Sequence, residues 1–277
     1  MLNLHHVSYS YPGNFKPVVS DFSMDVHPGG IYGLLGANGS GKSTLLYLMS
    51  GLLRPASGSV VFKGQETFRR LPSTLTDIFL VPEEIDLPAV TLDKYVALNA
   101  PFYEKFNREE MNTYLDHFRL APDIHLGRLS MGQRKKAFVA FALACNTSLL
   151  LMDEPTNGLD IPGKAEFRRA IVSAMRDDRT VIISTHQVRD LERVLDHVAI
   201  IDKNGVVLNT SIASIQERLV FRFTTDPLEL SGALWSMPVP GGYNIVRFRG
   251  DGVEETDVNL ESLFELSFAN PQLTNEL

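Results

Sequence analysis

Residues 36–44 read GANGSGKST, which fits the pattern G-x-x-x-x-G-K-[ST]. Such a loop suits phosphate, because backbone N–H groups turned into a shared hollow at a helix start grip phosphate oxygens. Gly36, Gly39 and Gly41 let the chain turn tightly there. Lys42 brings a point charge for the β- and γ-phosphates, and Ser43 brings a hydroxyl for Mg²⁺. A second group stands where the apolar run SLLLM ends in two adjacent carboxylates, Asp153 and Glu154. Paired like charges cost free energy, so a buried strand that ends in them points to a task. Phosphoryl-transfer chemistry needs one carboxylate for the metal and one to orient or deprotonate water. Asp153 suits the first role and Glu154 the second. The plain alternatives are a surface loop with a chance lysine and a strand-end turn before Pro155. Each is reasonable alone and weak beside the other motif.

Two further segments could take part. LSMGQ, residues 129–133, opens a strongly helical stretch with apolar Phe138, Phe141, Ala142 and Cys145. Ser130 and Gly132 at a helix start make an anion site, or Ser130 is an ordinary N-cap. His186 follows the apolar run TVIIST. The other histidines, His5, His6, His27, His117, His125 and His197, are expected at the surface or in satisfied core positions.

These groups need strands that end at them and helices that start from them. IYGLL (31–35) runs into the glycine loop, and a helix over 43–50 leaves it, stopping near Gly51 with Pro55 beyond. Strands are expected over 58–64, 78–82, 148–153, 180–185 and 198–202, and helices over 163–176 and 187–194. A mostly helical insert spans about 85–139, punctuated by Pro88, Pro101 and Pro122. Alternating strands and helices predict a parallel α/β core, with the ligand at the carboxyl ends of the strands. From about residue 216 the pattern changes. LVFRFTT and YNIVRFRG alternate as half-buried strands, and NLESLFELSFAN reads as a closing helix with Leu260, Leu263, Phe264 and Phe268 on one face.

The chain of 277 residues is 44% hydrophobic and 21% charged, with a formal net charge of −7. An acidic balance argues against general nucleic-acid or anionic-membrane binding. Cys145 is the sole cysteine, so no internal disulfide forms. The N-terminus lacks a basic segment followed by an apolar run, so no signal peptide is expected. The longest apolar run, AFVAFALAC, falls far short of the ~20 residues of a membrane span, so the chain is expected to be soluble.

GANGSGKST, LSMGQ, LLLMDEP, NGLD and the histidine of VIISTHQV occur in that order at separations that resemble the ATP-binding subunits of ABC transporters. The resemblance covers about residues 1–215. It implies a P-loop NTPase core with a parallel sheet, an antiparallel N-terminal β-subdomain, a helical subdomain at about 85–139, and a small C-terminal α/β extension over 216–277. Such extensions are common in ABC-2 type exporter ATPases, and this one could regulate, dimerise or pack. Carried over residue by residue, the resemblance implies that ATP contacts Gly36, Ala37, Asn38, Gly39, Ser40, Gly41, Lys42, Ser43 and Thr44. Tyr11 matches the aromatic residue that stacks on adenine; Tyr9 competes, and either could be a strand residue facing the core. LSMGQ resembles the signature motif LSGGQ, with Met131 in place of a glycine. Through Ser130, Gly132 and Gln133 it would meet the γ-phosphate bound by an opposite subunit. NGLD resembles the D-loop, with Asn157 in place of serine and Asp160 retained. His186 matches the residue that senses the γ-phosphate and holds the attacking water.

Glu83 occupies the position where many members carry glutamine, and with Ser43 and Asp153 it would complete the Mg²⁺ ligands. The alternative is that Glu83 and Glu84 are merely solvated. Arg134, Lys135 and Lys136 are expected on a solvated helix face, as are Arg69-Arg70 and Arg168-Arg169. The implied function is ATP hydrolysis with Mg²⁺ at the cytoplasmic face of the cell membrane. The chain would form a homodimer or heterodimer of ATPase subunits beside separate transmembrane permease subunits, with export the implied direction and import still open. Leu87, Val90 and Tyr95 of the insert are candidates for the partner surface. A soluble ABC ATPase acting on nucleic acid or ribosomes is the second reading. The acidic charge, and the lack of a coiled-coil insertion or a second cassette, speak against it, and no nucleic-acid partner is expected.

Overall fold

Three strands, Ile31–Leu35, Leu149–Asp153 and Thr180–Thr185, are buried along their whole length in a computed structural model of the chain. The structure describes residues 1–13, 16–203 and 205–270; the end of the expected C-terminal extension, 271–277, lies outside the described residues. Continuous burial is what a parallel sheet covered on both faces demands, and these sequences are accordingly unbroken apolar runs. Among the described residues the central sheet has six strands, in the order Gly205–Ser211, His197–Asp202, Ile31–Leu35, Thr180–Thr185, Leu149–Asp153, Ile78–Val81. All neighbours are parallel except Gly205–Ser211, which turns back antiparallel on His197–Asp202.

Alternate residues of this sheet feed two cores. Leu34, Leu151 and Ile182 face the helix Lys42–Met49 and a second sheet. That sheet is antiparallel, in the order Val19–Val26, Leu2–Tyr9, Ser57–Phe62, Gln65–Glu66. Leu35, Leu150 and Ile183 face the other way, onto the helices Arg108–His117, Met131–Ala144 and Ile161–Ser173. A third sheet, in the order Leu219–Thr224, Gly242–Phe248, Trp235–Val239, packs through Leu219, Phe221 and Val246 into this same core, together with Leu260 and Leu263 of the helix Leu260–Ala269.

Three expectations are corrected. No α-helix forms over 187–194. A 3-10 turn at Val188–Asp190 is followed by further tight turns, among them Val194 N–H to Leu191 O at 2.9 Å. Val188, Leu191 and Leu195 are all buried, and their spacing of three and four residues serves a run of tight turns as well as a helix. In the closing helix, Leu266 and Ser267 join Leu260 and Leu263 on the buried face. Phe268 instead stays 40% exposed, its ring against Phe264 with centroids 4.9 Å apart. Leu87 is buried and presents no partner surface, while Val90 and Tyr95 are half-buried and pack against the core. The Tyr95 ring meets the edge of Phe141 at 5.3 Å, and burial pushes its hydroxyl pKa up to about 12.

Candidate active site

The carboxyl ends of Ile31–Leu35, Leu149–Asp153 and Thr180–Thr185 bring Gly36, Asp153, Glu154 and His186 to one edge of the sheet. Gly36 must be glycine: a Cβ there would lie 2.6 Å from Ser40 Oγ and 2.7 Å from Ile201 O. The loop then enters the helix Lys42–Met49 through Gly41, whose φ of 98° is left-handed, and no side chain caps the helix. Helix-start N–H groups without an internal acceptor are anion ligands waiting for a partner. Lys42 is buried and donates to Gly36 O at 2.8 Å and Ala37 O at 3.2 Å. Burial lowers its pKa, while the charges of Glu154, Asp153 and Glu83 oppose the drop. Ser40 Oγ is buried without a hydrogen-bond partner. A polyphosphate fits this cradle, since it offers acceptors both to the helix start and to the ammonium group.

Asp153 Oδ1 accepts from Ser184 Oγ at 2.5 Å, which fixes the carboxylate at the strand end. Glu154 adopts a left-handed φ of 43°, uncommon for a residue with a side chain. Its N–H donates to Ser184 O at 3.1 Å and approaches Ser184 Oγ at 3.2 Å. Glu154 Oε1 accepts from the His186 backbone N–H at 3.0 Å and lies 2.8 Å from His186 Nδ1. Glu154 Oε2 is buried with no hydrogen-bond partner. A carboxylate pinned by one oxygen, with its other oxygen dry, is placed to take a proton from a water that enters.

Tyr11 lies beside the loop, its hydroxyl 3.2 Å from Thr44 Oγ1 and its ring edge-on to Tyr9 at 5.0 Å. Glu83 is exposed, and its Oε1 accepts from Asn157 Nδ2 at 3.0 Å. Among the described residues no group of three His, Cys, Asp or Glu side chains could hold a metal. Ser43, Asp153 and Glu83 are instead a donor set of the kind Mg²⁺ takes when phosphates complete its shell.

The remaining expected residues other than Gly132 are engaged in helix caps. Ser130 caps the helix Met131–Ala144 in a reciprocal box: its Oγ accepts from Gln133 N–H at 3.3 Å, and Gln133 Oε1 accepts from Ser130 N–H at 3.0 Å. Asp160 caps Ile161–Ser173 by accepting from Gly163 N–H at 2.9 Å. A Cβ on Gly132 would come within 3.3 Å of Gly158 O, so the two motifs are packed together. Among the described residues, none of Ser130, Gln133 and Asp160 hydrogen-bonds to residues 36–44, whereas Tyr11 bonds Thr44 and the charges of Glu154, Asp153 and Glu83 act on Lys42.

Sequence reasoning misses four participants. Asn157 joins the Glu83 and His186 loops, since its Oδ1 also accepts from Gln187 Nε2 at 3.0 Å. Gln187 Oε1 in turn accepts from Lys164 Nζ at 2.9 Å. Ser184 holds Asp153 and the Glu154 N–H. Lys135 does not lie on a solvated face: it is 5% exposed and donates to Glu154 O at 3.2 Å and Asn157 O at 3.0 Å. Neighbouring Lys136 is also engaged, donating to the buried Glu166 at 2.7 Å.

Comparison with known proteins agrees with this geometry. The family model for "ABC transporter" matches residues 19–157. The ABC transporter ATP-binding protein YtrB of Bacillus subtilis (strain 168) is 26% identical, over 82% of this chain and 78% of its own length. The bacitracin transport ATP-binding protein BcrA of Bacillus licheniformis is 30% identical, over 72% of this chain and 67% of its own. A solved structure of an ATP-binding subunit of an ABC transporter superposes with a TM-score of 0.68 at 23% identity, covering 78% of this chain and 92% of that one; this is a likeness of fold. The chain belongs to the ABC transporter family, as an ATPase subunit.

Proposed function

We propose that this subunit hydrolyses ATP at a site completed by a second ATPase subunit, and that closure of the pair drives export through a separate membrane protein. The observation that carries the chemistry is Glu154, with Oε1 held by His186 and Oε2 buried without a partner beside an uncapped P-loop helix. Residues 36–44 grip the phosphates, and Tyr11 stacks on the base. Glu154 Oε2 takes the proton of the attacking water, and the His186 backbone and ring keep the carboxylate oriented. Ser43, Asp153 and Glu83 would hold Mg²⁺, which would supply neutralisation of phosphate charge when bound. Ser130, Gly132, Gln133 and Asp160 form the surface that meets the nucleotide of the partner subunit. Their engagement in helix caps, with no hydrogen bond to residues 36–44 among the described residues, supports that division of labour, and the presence of both half-sites in one chain supports a homodimer. Residues 1–215 act as the ATPase domain and 216–277 as an extension packed upon it. Among the described residues no helix is long and apolar enough to cross a membrane, so a partner must supply the path. The resemblance to a Nod factor export ATP-binding protein, 31% identical over 67% of this chain, supports outward movement of substrate.

The partner docks in a cleft of about 470 Å³ beside the helical insert, lined by Leu52, Leu75, Leu80, Phe102 and Tyr103. Leu52 is 56% and Phe102 67% exposed, large apolar side chains left open to solvent. Tagged chain recovered from detergent-solubilised membranes should carry a stoichiometric multi-span protein. Phe102→Glu should lose at least tenfold of that protein while binding ATP as wild type does. Recovery of ribosomes or nucleic acid without a membrane protein would refute the transport reading.

A further inference from the structure

The nine residues after the switch histidine, 187–195, lie between two helices. On the side of the ATPase core, the helix Ile161–Ser173 holds them. Lys164 Nζ pairs with Asp190 at 2.7 Å and reaches Gln187, and Arg168 donates to Asp190 O at 3.1 Å. On the other side stands the closing helix Leu260–Ala269 of the C-terminal extension. Glu192 Oε1 accepts the Leu260 N–H at 2.8 Å, and Arg189 pairs with Glu261 at 2.5 Å. Asn259 caps the same helix by accepting from Ser262 N–H at 2.8 Å, so Glu192 satisfies a different donor of the first turn. A carboxylate at this end also meets the positive pole of the helix. Below these polar contacts, Val188, Leu191 and Leu195 share one core cluster with Leu260 and Leu263.

The segment has room to move. A cleft of about 740 Å³ opens beside Glu192, Arg193 and Leu195, bounded opposite by Phe221, Phe223 and Asn259. Residues 187–195 carry a single 3-10 turn of regular structure, so their position is set by their contacts to the two flanking helices. Any shift of the segment is transmitted to His186 through Gln187, whose N–H is tied to Thr185 Oγ1 at 2.9 Å and whose side chain holds Asn157.

We propose that the C-terminal extension is a latch on the switch loop, with Glu192 and Arg189 as positioning residues that hold His186 against Glu154. The inference rests on the assignment of Glu154 and His186 to hydrolysis. It gives the extension a role in turnover rather than in nucleotide binding, since no latch residue touches residues 36–44.

The test is steady-state ATP hydrolysis by the purified full chain with Mg²⁺, alongside thermal unfolding. Glu192→Ala should lower kcat about three- to tenfold and leave KM for ATP within twofold. Glu192→Gln keeps an acceptor for the Leu260 N–H and should restore most of the rate. Arg189→Glu should lower kcat, and Arg189→Glu combined with Glu261→Arg should recover it at an unchanged melting temperature. Wild-type kcat in both Glu192→Ala and Arg189→Glu would overturn the latch, as would a charge swap that recovers nothing. His186→Ala separates the two levels. If it is inactive while the latch variants are fully active, the latch alone fails; if it keeps wild-type turnover, the hydrolysis assignment fails and the latch with it.

Discussion

Glu154→Gln should bind ATP nearly as wild type does and lose at least about 100-fold in kcat, the lower end of what a general base contributes. The substitution keeps the volume of a side chain that is 5% exposed, so the fold need not adjust. The amide oxygen can still accept from the His186 N–H. What changes is the second position, where the Oε2 acceptor of a buried carboxylate becomes an NH₂ donor that cannot take a proton. In the proposed site the phosphates are held by Lys42, Ser43 and the loop backbone, and this side chain takes no part in holding them. Binding and chemistry should therefore separate cleanly, with the dissociation constant for ATP within about threefold of wild type while turnover collapses. A chain that closes on ATP but cannot cleave it should accumulate as a dimer on gel filtration with Mg²⁺-ATP. Turnover within tenfold of wild type, or a monomer at saturating ATP alongside the partner subunit, would count against Glu154 as the base.

The parts of this site that lie on one stretch of chain are legible in the sequence. The glycine loop, the strand ending in Asp153-Glu154, and His186 after TVIIST each combine a local pattern with a local element, and each element forms where its apolar run places it. What stays hidden is made by contacts between distant segments. Asn157 bonds Glu83 from 74 positions away and Gln187 from 30, and no pattern within one window encodes a bond of that separation. The stretch 187–194 misleads for a different reason. Buried apolar residues at 188, 191 and 195 satisfy helical spacing, yet successive tight turns present the same residues to the same core. The basic run at 134–136 misleads by composition. Charge argues for solvent, while helical phase puts Lys135 on one face with Val139 and Ala142, both buried, and phase is the signal that decides.

Lys135 consequently carries the second large effect. Its ammonium ties the carbonyl of Glu154 to that of Asn157, and so joins the strand end at Glu154 to the loop that holds Glu83 and Gln187. Lys135→Met keeps most of the volume and removes the donor. The Glu154 carbonyl keeps the Asn157 N–H at 3.2 Å, while the half-buried Asn157 carbonyl loses its side-chain donor, at about 1–3 kcal/mol. A loss of about 1–3 kcal/mol of stability should appear as a fall in melting temperature on the order of 5 °C for a chain of this size. Turnover should fall about tenfold in the folded variant, because the Glu154 carbonyl belongs to a residue held at a φ of 43° and its tether restrains that conformation. A pH titration of stability distinguishes this from simple loss of packing. Burial lowers the Lys135 pKa below its ordinary value of 10.5, with Glu83, Glu154 and Asp153 opposing the shift. Between the folded value and the ordinary one, the unfolded chain binds the extra proton, so this site's contribution to stability rises with pH through that window. The stability difference between wild type and Lys135→Met should therefore widen as the solution is made alkaline and level off near the ordinary lysine value. A difference that is flat with pH, or a variant as stable and as active as wild type, would place Lys135 outside the working parts of the site.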